Sequence, residues 1–331
     1  MEVLFIGGTG VISSACSEMA IQKGYNLTLL NRGETSYRPV PEGAQLIHGD
    51  IRRPETVKSA LGDRWFDVVV DWIAYTPEHV QVDLDLFTGK TGQYIFISSA
   101  SAYQKPPVNL PIRESTPLRN PIWGYSQAKI ACEDLLQRVY RESGFPMTIV
   151  RPSHTYDKTM VPIHGGYTMI ARMREGKQVI VPGDGTSLWV LTHHRDFAKG
   201  FVGLLGNPHA IGEAFQITSD ELLTWNQIYS LIAGAAGAQA NLVHAPSDLI
   251  AAYDREWGDS ILGDKSHSVI FDNTKIKGLV PDFDATIPFS EGVHEIIAWF
   301  DEDPSRRVSD RALDRTIDRI LAAYQRAWPA N

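Results

Sequence analysis

The chain opens with Val3-Leu4-Phe5-Ile6, turns through Gly7-Gly8-Thr9-Gly10-Val11-Ile12, and runs from Ser13 into a helical stretch. Glycine is required where a strand turns sharply into a helix and where the backbone must come close to a pyrophosphate, whose charge then rests on the helix N-terminus. Gly7, Thr9, Gly10, Val11 and Ile12 are therefore expected to form a dinucleotide-binding loop. Ser13 stands where a further glycine is usual, which is expected to loosen slightly the packing of helix on strand. Downstream, short apolar runs at residues 3–6, 27–30, 46–47, 68–70, 94–97 and 147–150 alternate with amphipathic stretches, notably 13–23, 77–88 and 125–143. That alternation predicts an α/β fold, a doubly wound parallel sheet covered on both faces. The rhythm breaks after about residue 151, so residues 1–150 are read as the dinucleotide-binding domain. Residues 151–331 are read as a smaller C-terminal substrate-binding lobe that returns to the sheet through 214–218. The tail, 304–328, reads as an amphipathic helix packed on the domain, with Leu313, Ile317, Ile320, Leu321 and Tyr324 at helical spacing.

Composition narrows the function class. At 331 residues and 43% hydrophobic, the chain can bury a large core, and no apolar run reaches the 18 or so residues of a membrane span. It begins directly in a strand without a basic leader, so a soluble cytoplasmic protein is expected. Cys16 and Cys132, both on helical segments, suggest neither a disulfide framework nor a metal knuckle. The net charge of -8 argues against nucleic acid as the default partner.

After the second strand comes Asn31-Arg32-Gly33, where a carboxylate gripping a ribose diol would mark NAD. None is present. Arg32 could pair with a 2′-phosphate, which favours NADP over NAD, or lie over the adenine face with either. Asp50, with Ile51, is placed to accept from the adenine amino group, and Ala74 is expected on the cofactor floor.

The stretch Tyr94-Ile95-Phe96-Ile97-Ser98-Ser99, with Tyr103 just beyond, precedes Tyr125-Ser126-Gln127-Ala128-Lys129 and then Arg151-Pro152. Together with the glycine turn and Asp50, these residues resemble the extended short-chain dehydrogenase/reductases, the NAD(P)-dependent epimerase/dehydratase superfamily, over nearly the whole chain. The resemblance implies a Rossmann fold and an enzyme acting on a secondary hydroxyl or ketone of a sugar-like small molecule. Tyr125 would be general base, Lys129 together with an oxidised nicotinamide would lower its pKa, Lys129 would hold the nicotinamide ribose, Ser99 would bind the reacting oxygen, and Pro152 would line the cofactor site. Tyr125 and Lys129 lie one helical turn apart, as shared work on one face demands. It also implies a homodimer through helices 77–88 and 125–143.

Departures matter as well. Aligning His193 and Asp196 on the family pattern puts Trp189 where an arginine grips a sugar-nucleotide diphosphate, so a hydroxylated ring without a nucleotide is expected. His154, Tyr156 and Trp189 are the candidate substrate contacts, beside Ser99. Ala100 and Ser101 follow Ser99 where a dehydratase would need an acid pair. His193-His194 lack acidic companions, and no metal site is expected. Asn31-Arg32-Gly33 also resembles an atypical branch that includes chloroplast stem-loop RNA-binding proteins, whose implication is a nucleotide-sensing or RNA-associated role on the same fold.

Overall fold

Strands buried along their whole length need helices on both faces, and the chain supplies them in alternation. In the computed structural model, which describes residues 1–33 and 37–327, the first half runs β1 (Glu2–Ile6), α1 (Ser13–Gln22), β2 (Asn26–Asn31), β3 (Gln45–His48), α2 (Pro54–Leu61), β4 (Val68–Asp71), α3 (Pro77–Phe87), β5 (Tyr94–Ile97), α4 (Gly124–Ser143) and β6 (Met147–Pro152). The second half runs β7 (His154–Tyr156), α5 (Tyr167–Arg174), β8 (Val179–Pro182), β9 (Leu188–Trp189), β10 (Leu191–His193), α6 (His194–Val202), β11 (Ala214–Ile217) and β12 (Leu223–Thr224). It continues with α7 (Trp225–Ala235), β13 (Leu242–Ala245), α8 (Ser247–Tyr253), α9 (Arg255–Ser260), α10 (Thr274–Leu279), α11 (Phe289–Glu302) and α12 (Arg311–Arg326).

Seven strands form one parallel sheet in the order β11-β6-β5-β4-β1-β2-β3. Alternate residues face opposite layers. Val3, Phe5, Val68 and Val70 pack with Ala15 and Cys16 of α1 and Phe197 and Phe201 of α6. Leu4, Ile6, Val69 and Phe96 pack with Val57, Val80, Leu84, Cys132 and Leu136 of α2, α3 and α4. Chain direction reverses across the sheet at the β1/β4 boundary, and the crevice beyond the carboxyl ends of those strands is where such sheets bind ligands. This is the doubly wound Rossmann arrangement.

A second core is built from the pairs β7/β10, β8/β13 and β9/β12 with α5, α7, α11 and α12. Trp189, Trp225 and Trp257 are buried in it. The tail helix is shorter than expected because Pro304–Arg306 makes a separate 3₁₀ turn and Asp310 caps α12 through the amides of Ala312 and Leu313. Ile317, Ile320 and Leu321 are buried, Arg172 pairs with Asp318 at 2.8 Å, and Trp328 lies outside the described residues.

The glycine turn is held tightly. Gly8 has φ +98°, and a Cβ there would lie 2.6 Å from Leu29 Cδ2, so no larger residue fits. Ser13 does not prop the helix away. Its hydroxyl is buried and accepts from the Gly10 amide at 2.8 Å, tying the turn to α1.

Candidate active site

Two hollows meet at the carboxyl ends of the central strands. The first, 470 Å³, is lined by Gly7, Thr9, Gly10, Val11, Ile12, Asn31, Arg32, Asp50 and Ile51. The second, 400 Å³, is lined by Ser99, Tyr125, Lys129, Pro152, His154 and Trp189. Val11, Ile12, Trp72 and Tyr75 line both, so they form one elongated groove. A dinucleotide fits its chemistry: α1 begins at this wall with no side-chain cap and no acidic residue in its first turn, which leaves amide donors and the positive end of the helix for a pyrophosphate.

At the far end of the first hollow, Asn31 is tied into the turn. Its amide nitrogen faces the carbonyls of Gly7 and Leu30, and its oxygen accepts from the Thr9 hydroxyl at 3.2 Å. Asp50 accepts from the Arg52 amide at 3.0 Å. Arg32 follows β2, exposed on the rim. Ala74 is a correction: it lies buried rather than on the cofactor floor, which Ile73 and Tyr75 line instead. The reason is a turn in which Asp71 Oδ1 accepts from the amides of Ile73 at 2.5 Å and Ala74 at 2.9 Å, while the Ala74 carbonyl accepts from Lys129 Nζ at 2.7 Å.

Lys129 Nζ also donates to the Ile97 carbonyl at 2.7 Å. Two of its three protons thus fix it beneath the site and one remains for a further acceptor. Burial pulls its pKa down to about 8, with the Asp71 carboxylate the largest opposing influence. Burial pushes the Tyr125 phenol up to about 12, and the leading influence against that is a hydrogen bond from Ser99, while Lys129 Nζ lies 5.9 Å from the centre of the phenol ring.

Ser99 is held by a line of hydroxyls. Ser126 Oγ donates to Ser101 Oγ at 2.7 Å, and Ser101 Oγ lies 2.9 Å from Ser99 Oγ. Behind them, Glu133 accepts from Ser98 and takes a forked pair of bonds from Arg151, at 3.0 and 2.6 Å. Arg151 also donates to Tyr103 Oη at 3.2 Å, so Tyr103, fully buried, braces the strand ends rather than facing the groove.

On the opposite wall, Trp189 Nε1 donates to His154 Nδ1 at 3.2 Å, and the Trp189 ring packs 5.1 Å from that of Trp225. Trp189 is both core and pocket wall. Tyr156 is a further correction: it is 1% exposed, turned away from the hollow against His193 and Phe289. α11 draws it in, for Gly292 opens a slot where a Cβ would lie against the phenol. His193 caps α6 by accepting from the Arg195 amide, and no group of side chains suited to a metal is present among the described residues.

Sequence reasoning missed Trp123, Asp264 and Lys265, which line the second hollow. Trp123 packs 4.9 Å from Tyr125, and Asp264 pairs with Lys105 at 2.7 Å. Trp123 is two residues from Tyr125 and could have been noticed, whereas Asp264 and Lys265 come from a π-helical turn, Ile261–Lys265, with no local motif.

Residues 3–218 match the NAD dependent epimerase/dehydratase family. The chain belongs to that family. That membership supports an enzyme of the extended short-chain dehydrogenase/reductase type. The chain is 28% identical over 257 residues to the chloroplast stem-loop binding protein of 41 kDa b of Arabidopsis thaliana, covering 73% of this chain and 65% of that protein. It is 31% identical over 168 residues to a UDP-glucose 4-epimerase of Lactobacillus helveticus, covering 46% of this chain and 51% of the relative. These matches therefore span between about half and two thirds of the relatives' lengths. Among solved structures, the epimerase Mth375 of Methanothermobacter thermautotrophicus superposes with a TM-score of 0.75 over 92% of this chain and 93% of that one, at 19% identity, a likeness of fold. No helix among the described residues is long and apolar enough to cross a membrane.

Proposed function

We propose that this protein is an NAD(P)-dependent epimerase or dehydrogenase/reductase acting on a secondary hydroxyl or ketone of a sugar-like small molecule. The observation that carries this reading is the meeting of Ser99, Tyr125 and Lys129 in a hollow continuous with the dinucleotide groove. Ser99 binds the reacting oxygen, Tyr125 takes its proton, and Lys129 holds the ribose beside them. When bound, the oxidised nicotinamide would supply the hydride acceptor and a positive charge that, together with the Lys129 ammonium, would lower the phenol pKa. In reduction Tyr125 returns the proton to the alkoxide. An epimerase and a dehydrogenase need the same three residues and differ in whether the ketone turns over or leaves. Dehydration has weaker support, because Ala100 and Ser101 follow Ser99 and the Asp264 carboxylate is committed to Lys105.

Arg32 on the rim favours NADP, and Trp189 in the wall favours a ring without a nucleotide. Free, buried cysteines at 16 and 132 fit a reducing cytoplasm. A homodimer through α3 and α4 belongs to the same reading, and a monodisperse monomer at micromolar concentration in light scattering would remove it. Titrating the protein with NAD, NADH, NADP and NADPH by calorimetry, then with sugars on the best dinucleotide, tests the whole. A second reading, an RNA-associated protein, draws support from the Arabidopsis relative. Failure of every dinucleotide to bind would bring it forward.

A further inference from the structure

We infer that Lys265 and the Nε2–H of His154 form a carboxylate-binding subsite in the hollow that Tyr125 also lines, so that the substrate ring carries an acid group. This rests on the proposed function and names its substrate class.

His154 is a donor by elimination. The indole N–H of Trp189 can only donate, so His154 Nδ1, 3.2 Å away, must be the acceptor. Burial and the nearby Lys265 charge push the His154 pKa down to about 3, so the ring is neutral at ordinary pH and its one proton sits on Nε2. Among the described residues no protein acceptor takes that proton, and His154 lines the hollow.

Lys265 brings the charge. Its ammonium lies 4.9 Å over the Trp123 ring, the same ring that packs on Tyr125. The neighbouring carboxylate, Asp264, is already engaged by Lys105 at 2.7 Å. Burial lowers the Lys265 pKa and the Asp264 carboxylate opposes that, so an anion arriving on this wall would hold the ammonium in its charged form. A partly desolvated cation without an ion pair is costly, and an arriving anion relieves that cost.

The turn carrying Lys265 is built in advance. Asn120 Nδ2 donates to the Gly263 carbonyl at 2.7 Å, and Trp225 Nε1 donates to the Lys265 carbonyl at 2.9 Å. Gly263 packs so closely on Trp123 that a Cβ there would lie 2.7 Å from Trp123 Cβ. One ammonium and one neutral N–H match the two oxygens and single charge of a carboxylate better than the double charge of a diphosphate.

The experiment uses protein loaded with the dinucleotide it binds best. Glucuronate and galacturonate are compared with glucose and galactose by calorimetry, with UDP-glucose as a third arm. The acids should bind about tenfold or more tightly than the neutral sugars. Lys265→Met should erase that preference with dinucleotide affinity kept, and Lys265→Arg should retain part of it. Equal binding of acid and neutral sugar, or an acid preference untouched by Lys265→Met in a protein of normal thermal stability, overturns the subsite while leaving the oxidoreductase reading in place. So does UDP-glucose binding that depends on Lys265 when the acids do not bind. Failure of every dinucleotide to bind overturns both.

Discussion

Glu133 and Arg151 form a buried pair whose removal should separate the cost of an orphaned charge from that of lost packing. Glu133 is fully buried and Arg151 3% exposed, joined by two bonds at 3.0 and 2.6 Å. Glu133→Leu leaves the guanidinium with only the Tyr103 hydroxyl and the Glu114 carbonyl, both at 3.2 Å. Neither neutralises it. Breaking such a pair from one side costs about 3–5 kcal/mol, a large share of the roughly 5–15 kcal/mol that holds a folded domain together. Adding Arg151→Met removes the stranded charge, and most of the loss should return, less about 1–2 kcal/mol for the hydroxyls of Ser98 and Tyr103 left without partners. Urea unfolding followed by tryptophan fluorescence and far-ultraviolet dichroism would read both variants as midpoint shifts at constant slope. If the single variant loses less than about 1 kcal/mol, or the double variant is worse than the single, the pair is not an electrostatic unit and this reasoning fails.

Tyr125→Phe should abolish turnover while leaving dinucleotide affinity nearly intact, since only the proton-carrying oxygen is lost; steady-state rates beside calorimetry check it, and unchanged catalysis would remove Tyr125 from the mechanism. Arg32→Ala should weaken NADP far more than NAD, whereas equal losses in the two titrations would return Arg32 to stacking on adenine. The His154 pKa, about 3 in the folded protein against 6.5 for a free imidazole, makes the unfolded chain bind the extra proton between those values. Stability should therefore fall as pH drops from about 6.5 toward 3, and His154→Gln should show a shallower fall in urea midpoints across that window. An unchanged slope would mean that His154 is protonated in the folded chain and that its tautomer is not fixed by Trp189.

What was legible in the sequence was local. The glycine turn, Ser99 at a strand end and the one-turn spacing of Tyr125 and Lys129 each lie within a few residues, so strand and helix periods place them without tertiary knowledge. Ala74 and Tyr156 were misplaced for the complementary reason. A period of two puts Tyr156 on the face of His154, but the three-residue β7 ends under α11, where Gly292 receives the phenol. Ala74 follows a strand end whose direction Asp71 decides by taking two amides.

The same division explains why chemistry was easier to read than specificity. The residues proposed for hydride and proton transfer lie at the carboxyl end of β5 and in the first turns of α4, where one segment positions its own side chains. The proposed recognition of the substrate falls to a wall assembled from β7, β9 and a π-helical turn far along the chain, held together by contacts such as Trp189 to His154 and Trp225 to the Lys265 carbonyl. Lys265 carries no motif because its role depends on what lies opposite: a tryptophan where a diphosphate-gripping arginine was expected, and an acid already neutralised by Lys105. A cation at that position would be an ordinary surface lysine on another fold. Here the wall around it, shared with Tyr125, would give its charge a ligand to select.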